Sequence, residues 1–519
     1  MQHRRRRAAR PALVLVLVVG ACLALQACVT TPPATAPAGT AGAATAQPPF
    51  GATPGASAPG AGASLANALR DGLDPADILA DLGRLQEITD EHGGSRPAGS
   101  DGHDAAAAFV ADELRAAGLT VELLPIEVPS FRQDAPSILA IAGPDASPVF
   151  EDLRDFKAML FSASGDVTAG IFALDYNRTA LPGDRNGLGC NDADWAGVPR
   201  GVILLLQPAS CRRHDVVIKA QAAGVLAIVT AYAEWPRDGV LRPTLIEPTD
   251  IRIPVLGATK GVGDALADAA AAGRDVHLSV AATSETRRTV SVIGDTPGGD
   301  PNHVVMLGGH LDSVIDGPGM NDNGTGTMTI LEIARELAAL SSGGATPPPW
   351  KVRVAFWTAE EIGLYGSAAY VNGLGSSASA IQAYLNFDML GSPNGLRLVY
   401  DAGGSSRQAE AAVVAALFST ALEAEGLAWQ AALVGASDQL PFDQALITTG
   451  GLFSGANERK TAEQAAIFGG IADAPGDACY HLACDTLDNV DPLLLGQMTR
   501  VAAWVTGALA SGEVDLTSP

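Results

Sequence analysis

Residues 308–326 read GGHLDSVIDGPGMNDNGTG. An apolar run, Val304 to Gly309, leads into this stretch, and apolar residues at helical spacing, Gly326 to Leu340, lead out of it. The pattern predicts strand, loop and helix. His310, Asp312 and Asp322 then gather at the carboxyl end of a strand, where open α/β sheets place their sites. Histidine and aspartate are good ligands for a divalent cation, and a second aspartate can steady the imidazole by accepting its other ring N–H. Asp, Asn and Gly are also ordinary turn residues, so the meaning of the stretch depends on what the rest of the chain offers.

The C-terminal half answers it. Strands are predicted over Val352–Thr358, Ala383–Asp388 and Leu396–Tyr400, and helices over Leu364–Asn372, Arg407–Glu425 and Pro492–Leu509. Their alternation implies an α/β fold with a mixed central sheet flanked by helices. Glu360 and Glu361 follow the first of these strands. Adjacent carboxylates point in different directions, so one can hold a cation while the other handles a proton, although acids at a helix start also simply favour the dipole. Asp388 closes the strand that ends Asn386-Phe387, and His481 lies in the segment Cys479-Tyr480-His481-Leu482-Ala483-Cys484.

Together His310, Asp322, Glu361, Asp388 and His481 make a nitrogen and carboxylate set without thiolate, which suits zinc, with manganese or cobalt as substitutes. The residues alone allow His310 and Glu361 on one side and Asp388 and His481 on the other, with Asp322 between. Two cations about 3.5–4 Å apart would acidify a water and polarise a carbonyl. Glu360 is then the free base and Tyr480 a hydrogen-bond donor to the oxyanion.

Toward the N-terminus the character changes. Five arginines before residue 11 precede an apolar run, Ala12 to Leu25, that is short for a membrane span, the pattern of an export signal over residues 1–27. Leu25-Gln26-Ala27-Cys28 resembles the lipobox of bacterial lipoproteins, with Cys28 the lipidated residue and Cys22 a weaker competitor. Residues 28–64, rich in Pro, Ala, Gly and Thr, are expected to form a disordered tether. Helices fit the Ile78, Leu82, Leu85 stripe and Asp104–Ala117, and Thr120–Val128 alternates like a strand. Residues 131–285 carry short β runs, Gly201–Leu206 and Gly224–Thr230, with a helix around Val216–Ala223, so they read as an insertion dividing another domain into 65–130 and 286–515.

Formal charge −24 over 519 residues disfavours nucleic acid or an anionic lipid surface as a partner. Besides Cys22 and Cys28 there are four cysteines, which allow three pairings. Their grouping favours local bridges, Cys190 with Cys211 and Cys479 with Cys484, in an oxidising compartment.

Six segments in order, GGSRPAGSDGHDAAAAFVADELRAAG, MLGGHLDSVIDGPGMNDNGTG, VAFWTAEEIGLYGSAAYV, LNFDMLGSPN, GGLFSGA and ACYHLACDTLDN, resemble M28 metallopeptidases, in particular the secreted bacterial zinc aminopeptidases. The resemblance implies a zinc exopeptidase fold and two Zn2+ per chain. It pairs His310 with Asp388 on one ion and Glu361 with His481 on the other, with Asp322 bridging. It also implies Glu360 as general base, Tyr480 as oxyanion donor, Asp312 as partner of His310, and Gly451, Leu452 and Phe453 along the pocket for the first substrate side chain. Residues 131–285 resemble a mainly-β protease-associated domain.

The implied substrates are peptides with a free N-terminus. The implied location is exported, anchored at the membrane only through lipid or else secreted, and the oligomeric state is left open. Where relatives often have Arg-Ser-Asp-His this chain has Ala436-Ser437-Asp438-Gln439. A carboxypeptidase of the same fold, related to glutamate carboxypeptidase, is the competing enzyme reading, but no basic cluster for a substrate carboxylate accompanies the motifs. A non-catalytic receptor on this scaffold would not need the complete ligand set, and a glutaminyl cyclase would not need both metal positions. No GxSxG is present for a serine hydrolase.

Overall fold

The computed structural model describes residues 61–516 apart from 144–147, 182, 234–239 and 343–346. The expected export signal, Cys28 and nearly all of the expected tether lie outside these residues. The first helix begins at Ala61, a turn earlier than the tether boundary expected at residue 64.

Helices α1 (Ala61–Gly72), α2 (Pro75–Glu91) and α3 (Asp101–Ala116) come first. Asp74 caps α2 by accepting from the Ala76 N–H, Pro75 supplies a preset φ, and Ile78, Leu82, Leu85 and Ile88 form its buried stripe. Truncating one such fully buried leucine to alanine costs about 2–5 kcal/mol. Next is the long strand β1 (Thr120–Ile141), then β2 (Phe156–Ala158), β3 (Gly165–Ala173), β4 (Ile203–Leu206), helix α4 (Arg213–Ala223), β5 (Ala227–Tyr232), β6 (Val255–Thr259) and helix α5 (Lys260–Ala271). A second long strand, β7 (Asp275–Asp295), returns antiparallel to β1 over almost its full length.

The C-terminal half supplies β8 (Asp300–His310), α6 (Gly326–Ser342), β9 (Trp350–Trp357), α7 (Tyr365–Leu374), β10 (Ile381–Phe387), β11 (Leu398–Tyr400), α8 (Gln408–Ala424), β12 (Gln430–Ala432), α9 (Gln439–Gln444), β13 (Thr449–Phe453), α10 (Ala462–Phe468) and α11 (Pro492–Ala510). The sheet runs β12-β11-β13-β10-β8-β9-β7 and continues through β7 into β3-β4-β5-β6-β2. Strands β9, β8, β10 and β13 are mutually parallel, with β7 antiparallel beside β9, so the expected mixed sheet between helices is present.

Two large cores result. One gathers α2, α3, α6, α8 and α11 on the C-terminal sheet; the other lies almost wholly between Phe131 and Val280. The segment read as mainly β carries two helices, α4 and α5, that cover its parallel strands. Its boundaries fall inside β1 and β7, which span both cores without a break. Strand β1 was legible only over Thr120–Val128 and β7 was not legible as a strand, because the exposed middle of this long pair carries no apolar stripe.

Candidate metal centre

The sheet brings the site together because β8, β9 and β10 end side by side. His310 is the last residue of β8, opposite Trp357 of β9, and Asp388 follows β10. Close approach needs glycine at two points. A Cβ on Gly309 would lie 2.7 Å, and one on Gly326 2.2 Å, from the Phe387 carbonyl. Asn323 completes the joint: its Nδ2 donates to Phe387 O at 2.8 Å and its Oδ1 accepts from Met389 N at 3.1 Å, fixing the residues on either side of Asp388.

Five side chains then converge. His310 Nε2 lies 3.1 Å from Asp322 Oδ1 and 3.3 Å from Asp388 Oδ1. His481 Nε2 lies 3.1 Å from Asp322 Oδ2 and 3.1 Å from Glu361 Oε2. Asp322 thus gives one oxygen to each histidine, and each histidine has a second carboxylate of its own. These spacings are close to the roughly 3.3 Å edge of a tetrahedron with bonds of ~2.0 Å, the geometry of a zinc site. Glu361 Oε1 is buried without a hydrogen-bond partner, as a carboxylate awaiting a cation would be. The donor set therefore fits zinc.

Asp312 does something other than expected. The ring N–H partner at His310 Nδ1 is the Asp312 backbone carbonyl at 3.0 Å, while its carboxylate is 4.0 Å away. That carboxylate instead accepts from the Glu360 and Glu361 backbone N–H groups at 3.2 and 3.4 Å and so shapes the turn that carries both acids. Ala359, Met389 and His481 each hold a positive φ near 60°, so three of the site's segments carry local backbone strain.

Several supporting residues were not singled out in the sequence. Asp485 accepts from the Asn321 and Asp322 N–H groups at 2.9 and 3.0 Å and holds the central aspartate's backbone. Buried Arg96 donates to the carbonyls of Leu311, just before the loop that joins Asp312 to Asp322, and of Pro318 and Gly319 within it. A buried chain of bonds runs Trp357, Tyr384, Asn386, Ser437 and ends with Ser437 Oγ donating to Asp388 Oδ2 at 2.7 Å. Their only sequence signal was proximity to the motifs, since all but the Tyr384–Asn386 bond join residues more than twenty positions apart.

Tyr480 stacks on His481 at a centroid distance of 3.8 Å, and burial raises its phenol well above the usual range, keeping it a donor. Burial also pushes Glu360 well above the ordinary carboxylate range; Glu361, Asp388 and Asp438 add repulsion that His310 opposes. Asp322 is opposite in sign. Burial acts against its ionised form, but the bonds from His310 and His481 hold it well below its ordinary value. Both expected disulfides, Cys190–Cys211 and Cys479–Cys484, are formed, the second enclosing Tyr480 and His481. Leu452 is fully buried in the main core, and Gly451 faces Asn386 across the sheet. Of the three residues expected along a substrate pocket, only Phe453 keeps a partly exposed side chain.

A family model for peptidase family M28 matches residues 291–506. An aminopeptidase of Pseudomonas aeruginosa is 34% identical over 447 residues, covering 84% of this chain and 81% of that protein. The probable lipoprotein aminopeptidase LpqL of Mycobacterium tuberculosis is 34% identical over 469 residues, covering 88% of each. This chain belongs to peptidase family M28. Among solved structures, the aminopeptidase from Aneurinibacillus sp. strain AM-1 superposes with a TM-score of 0.65 at 24% identity, over 85% of this M28 chain and 95% of that one. The Bacillus subtilis zinc aminopeptidase BSAP gives 0.63 at 22% identity, over 86% and 97%.

One acid of this M28 peptidase gives a pH prediction. Asp438 is fully buried; it accepts from Ser367 Oγ at 2.5 Å, its Oδ2 has no partner, and burial pushes its pKa up to about 7. A raised carboxyl pKa means the folded state holds a proton that the unfolded chain releases near 4, so stability falls as pH rises from about 4 to about 7. In zinc-free protein, Asp438→Asn is expected to flatten that decline, read as the urea midpoint between pH 4.5 and 7.5. A slope unchanged by the substitution would refute this assignment.

Proposed function

We propose that this M28 peptidase is an exported dizinc aminopeptidase that removes residues from the free N-termini of peptides. The observation that carries the reading is the division of Asp322 between two histidines, each with its own carboxylate. His310, Asp388 and Asp322 Oδ1 would hold one zinc, and His481, Glu361 and Asp322 Oδ2 the other. Bound there, the ions would acidify a water and polarise the scissile carbonyl.

The remaining work falls to this chain's own groups. Glu360, held by its backbone N–H on Asp312 but not engaged by either histidine, takes the proton of the attacking water and passes it to the leaving amine. The raised proton affinity of its carboxyl suits a group that must hold that proton between the two steps. Tyr480, rigid between its stacked neighbour and the disulfide, donates to the carbonyl oxygen as charge develops.

Similarity to relatives named aminopeptidases, and to a leucine aminopeptidase 2 of Arthroderma otae at 33% identity, supports the exopeptidase direction. Similarity to the lipoprotein aminopeptidase supports export, with Cys28 as the lipidated residue and residues 28–60 as tether. Residues 131–285, with their own core, are proposed as a protease-associated insertion between 65–130 and 286–515.

Protein lacking residues 1–60 tests the reading. Aminoacyl chromophores with a free amine are expected to be cleaved, N-blocked equivalents not, with activity lost to a chelator and restored by zinc. Equal cleavage of blocked substrates would overturn the aminopeptidase assignment.

A further inference from the structure

The loop from Asp312 to Asp322 joins two members of the metal centre, and its middle is gripped from the second core. Asp316 is 11% exposed and receives two cations contributed by residues of the 131–285 segment. Arg242, 6% exposed, donates through Nε to Asp316 Oδ2 and through Nη2 to Oδ1, both at 2.9 Å, a bidentate fork. Lys157, 3% exposed, donates to Oδ2 at 3.1 Å. Arg242 is itself fixed, because its Nη1 donates to the Ala158 carbonyl at 2.6 Å and to Gln133 Oε1 at 3.1 Å.

Apolar contacts lie beside the ionic ones. Ile315, next to Asp316, and Ile362, next to Glu361, both pack against the second core. On its other side the loop meets the disulfide segment, where a Cβ on Gly317 would lie 2.3 Å from the Leu482 carbonyl, one residue past His481. A continuous set of contacts therefore runs from Arg242 through Asp316 and Gly317 to the segment carrying Tyr480 and His481.

We infer that the 131–285 unit positions the metal centre, with Arg242 as the principal positioning residue acting through Asp316 on the Asp312–Asp322 loop. The inference rests on the metal-centre reading above but not on the choice of substrate. A surface ion pair would contribute little, but this one is buried, bidentate and shared between two cores. Misplacing a ligand by a fraction of an ångström weakens both metal retention and catalysis.

Arg242→Met is the informative variant because it leaves Lys157 and Asp316 as a neutral pair. Expected results are zinc release to a chromogenic chelator about tenfold faster than wild type, and kcat lower by about tenfold with KM within about threefold. Amide exchange across residues 313–319 should also be faster in the zinc-free protein. Arg242→Lys, which keeps the charge but not the fork, should fall between, and it serves as the test if the methionine variant does not fold.

Leu205→Ala, deep in the second core on β4 and three strands along the sheet from Lys157 on β2, separates positioning from general stability. It should lower the melting temperature while leaving zinc release within about twofold of wild type, as expected for a cavity far from the ligands. Wild-type zinc release and exchange in Arg242→Met would overturn the proposal, as would equal acceleration by Leu205→Ala. Should wild type cleave no free-amine substrate, the aminopeptidase reading falls while release and exchange still decide this one.

Discussion

Glu360→Gln is expected to retain zinc and fold as wild type yet lose roughly 10³–10⁴-fold in kcat, near the upper end of what general base catalysis supplies. The substitution is close to isosteric. It preserves the backbone N–H to Asp312 that sets the turn, so Glu361 stays beside His481. What it removes is an oxygen able to take a proton and release it to the leaving amine. KM should change by no more than about threefold, because the residue acts on the transition state rather than on ground-state binding. The acid limb of the kcat/KM profile should also disappear. Steady-state kinetics on a free-amine chromogenic peptide, with metal content measured on the same sample, decide the matter. Wild-type kcat in a zinc-replete Glu360→Gln would reject Glu360 as the base and require another proton acceptor.

The ligand set was legible because metal chemistry restricts which residue types can serve, and because the ends of β8 and β10 are announced by apolar runs stopping at His310 and Asp388. Their partnership was less so. From the residues alone His310 and Glu361 could be grouped together, whereas the structure sets His310 with Asp388 and His481 with Glu361; β8 lies beside both β9 and β10, so strand order leaves either acid near His310 and the side-chain positions decide. Asp312 shows the limit from another side. Its position two residues after His310 correctly suggested a partner, but a sequence does not distinguish carbonyl from carboxylate, and it was the carbonyl that bonded the ring.

The clamps on the loop were not legible at all. Arg96 acts across more than two hundred residues on Leu311, Pro318 and Gly319, and Arg242 reaches Asp316 across 74. Nothing local distinguishes these arginines from surface cations. The second core was seen as a separate unit because its β runs are continuous apolar stretches. Its helix α5 escaped notice, although Val262, Leu266 and Ala269 give it a buried face.

Asp322→Ala is expected to have the broadest effect of any single ligand change. Removing His481 or Asp388 deprives one cation position of one donor, but Asp322 contributes an oxygen to each histidine's group, so alanine leaves both short. Zinc per chain after gel filtration should fall well below that of His481→Ala, which keeps the His310, Asp322 and Asp388 group. Activity should drop by on the order of 10³-fold or more, since polarisation of the carbonyl and activation of water are lost together. A second signature is thermal. A ligand that binds only the folded state raises stability by RT ln(1 + [L]/Kd), so wild type should gain melting temperature with added zinc while Asp322→Ala should not. The Asp322 backbone N–H still bonds Asp485 in the variant, which keeps the loop's path and makes a folding failure an unsuitable explanation for lost metal. If Asp322→Ala bound as much zinc as wild type, the aspartate would not be a shared ligand, and the two histidine groups would have to hold their ions independently.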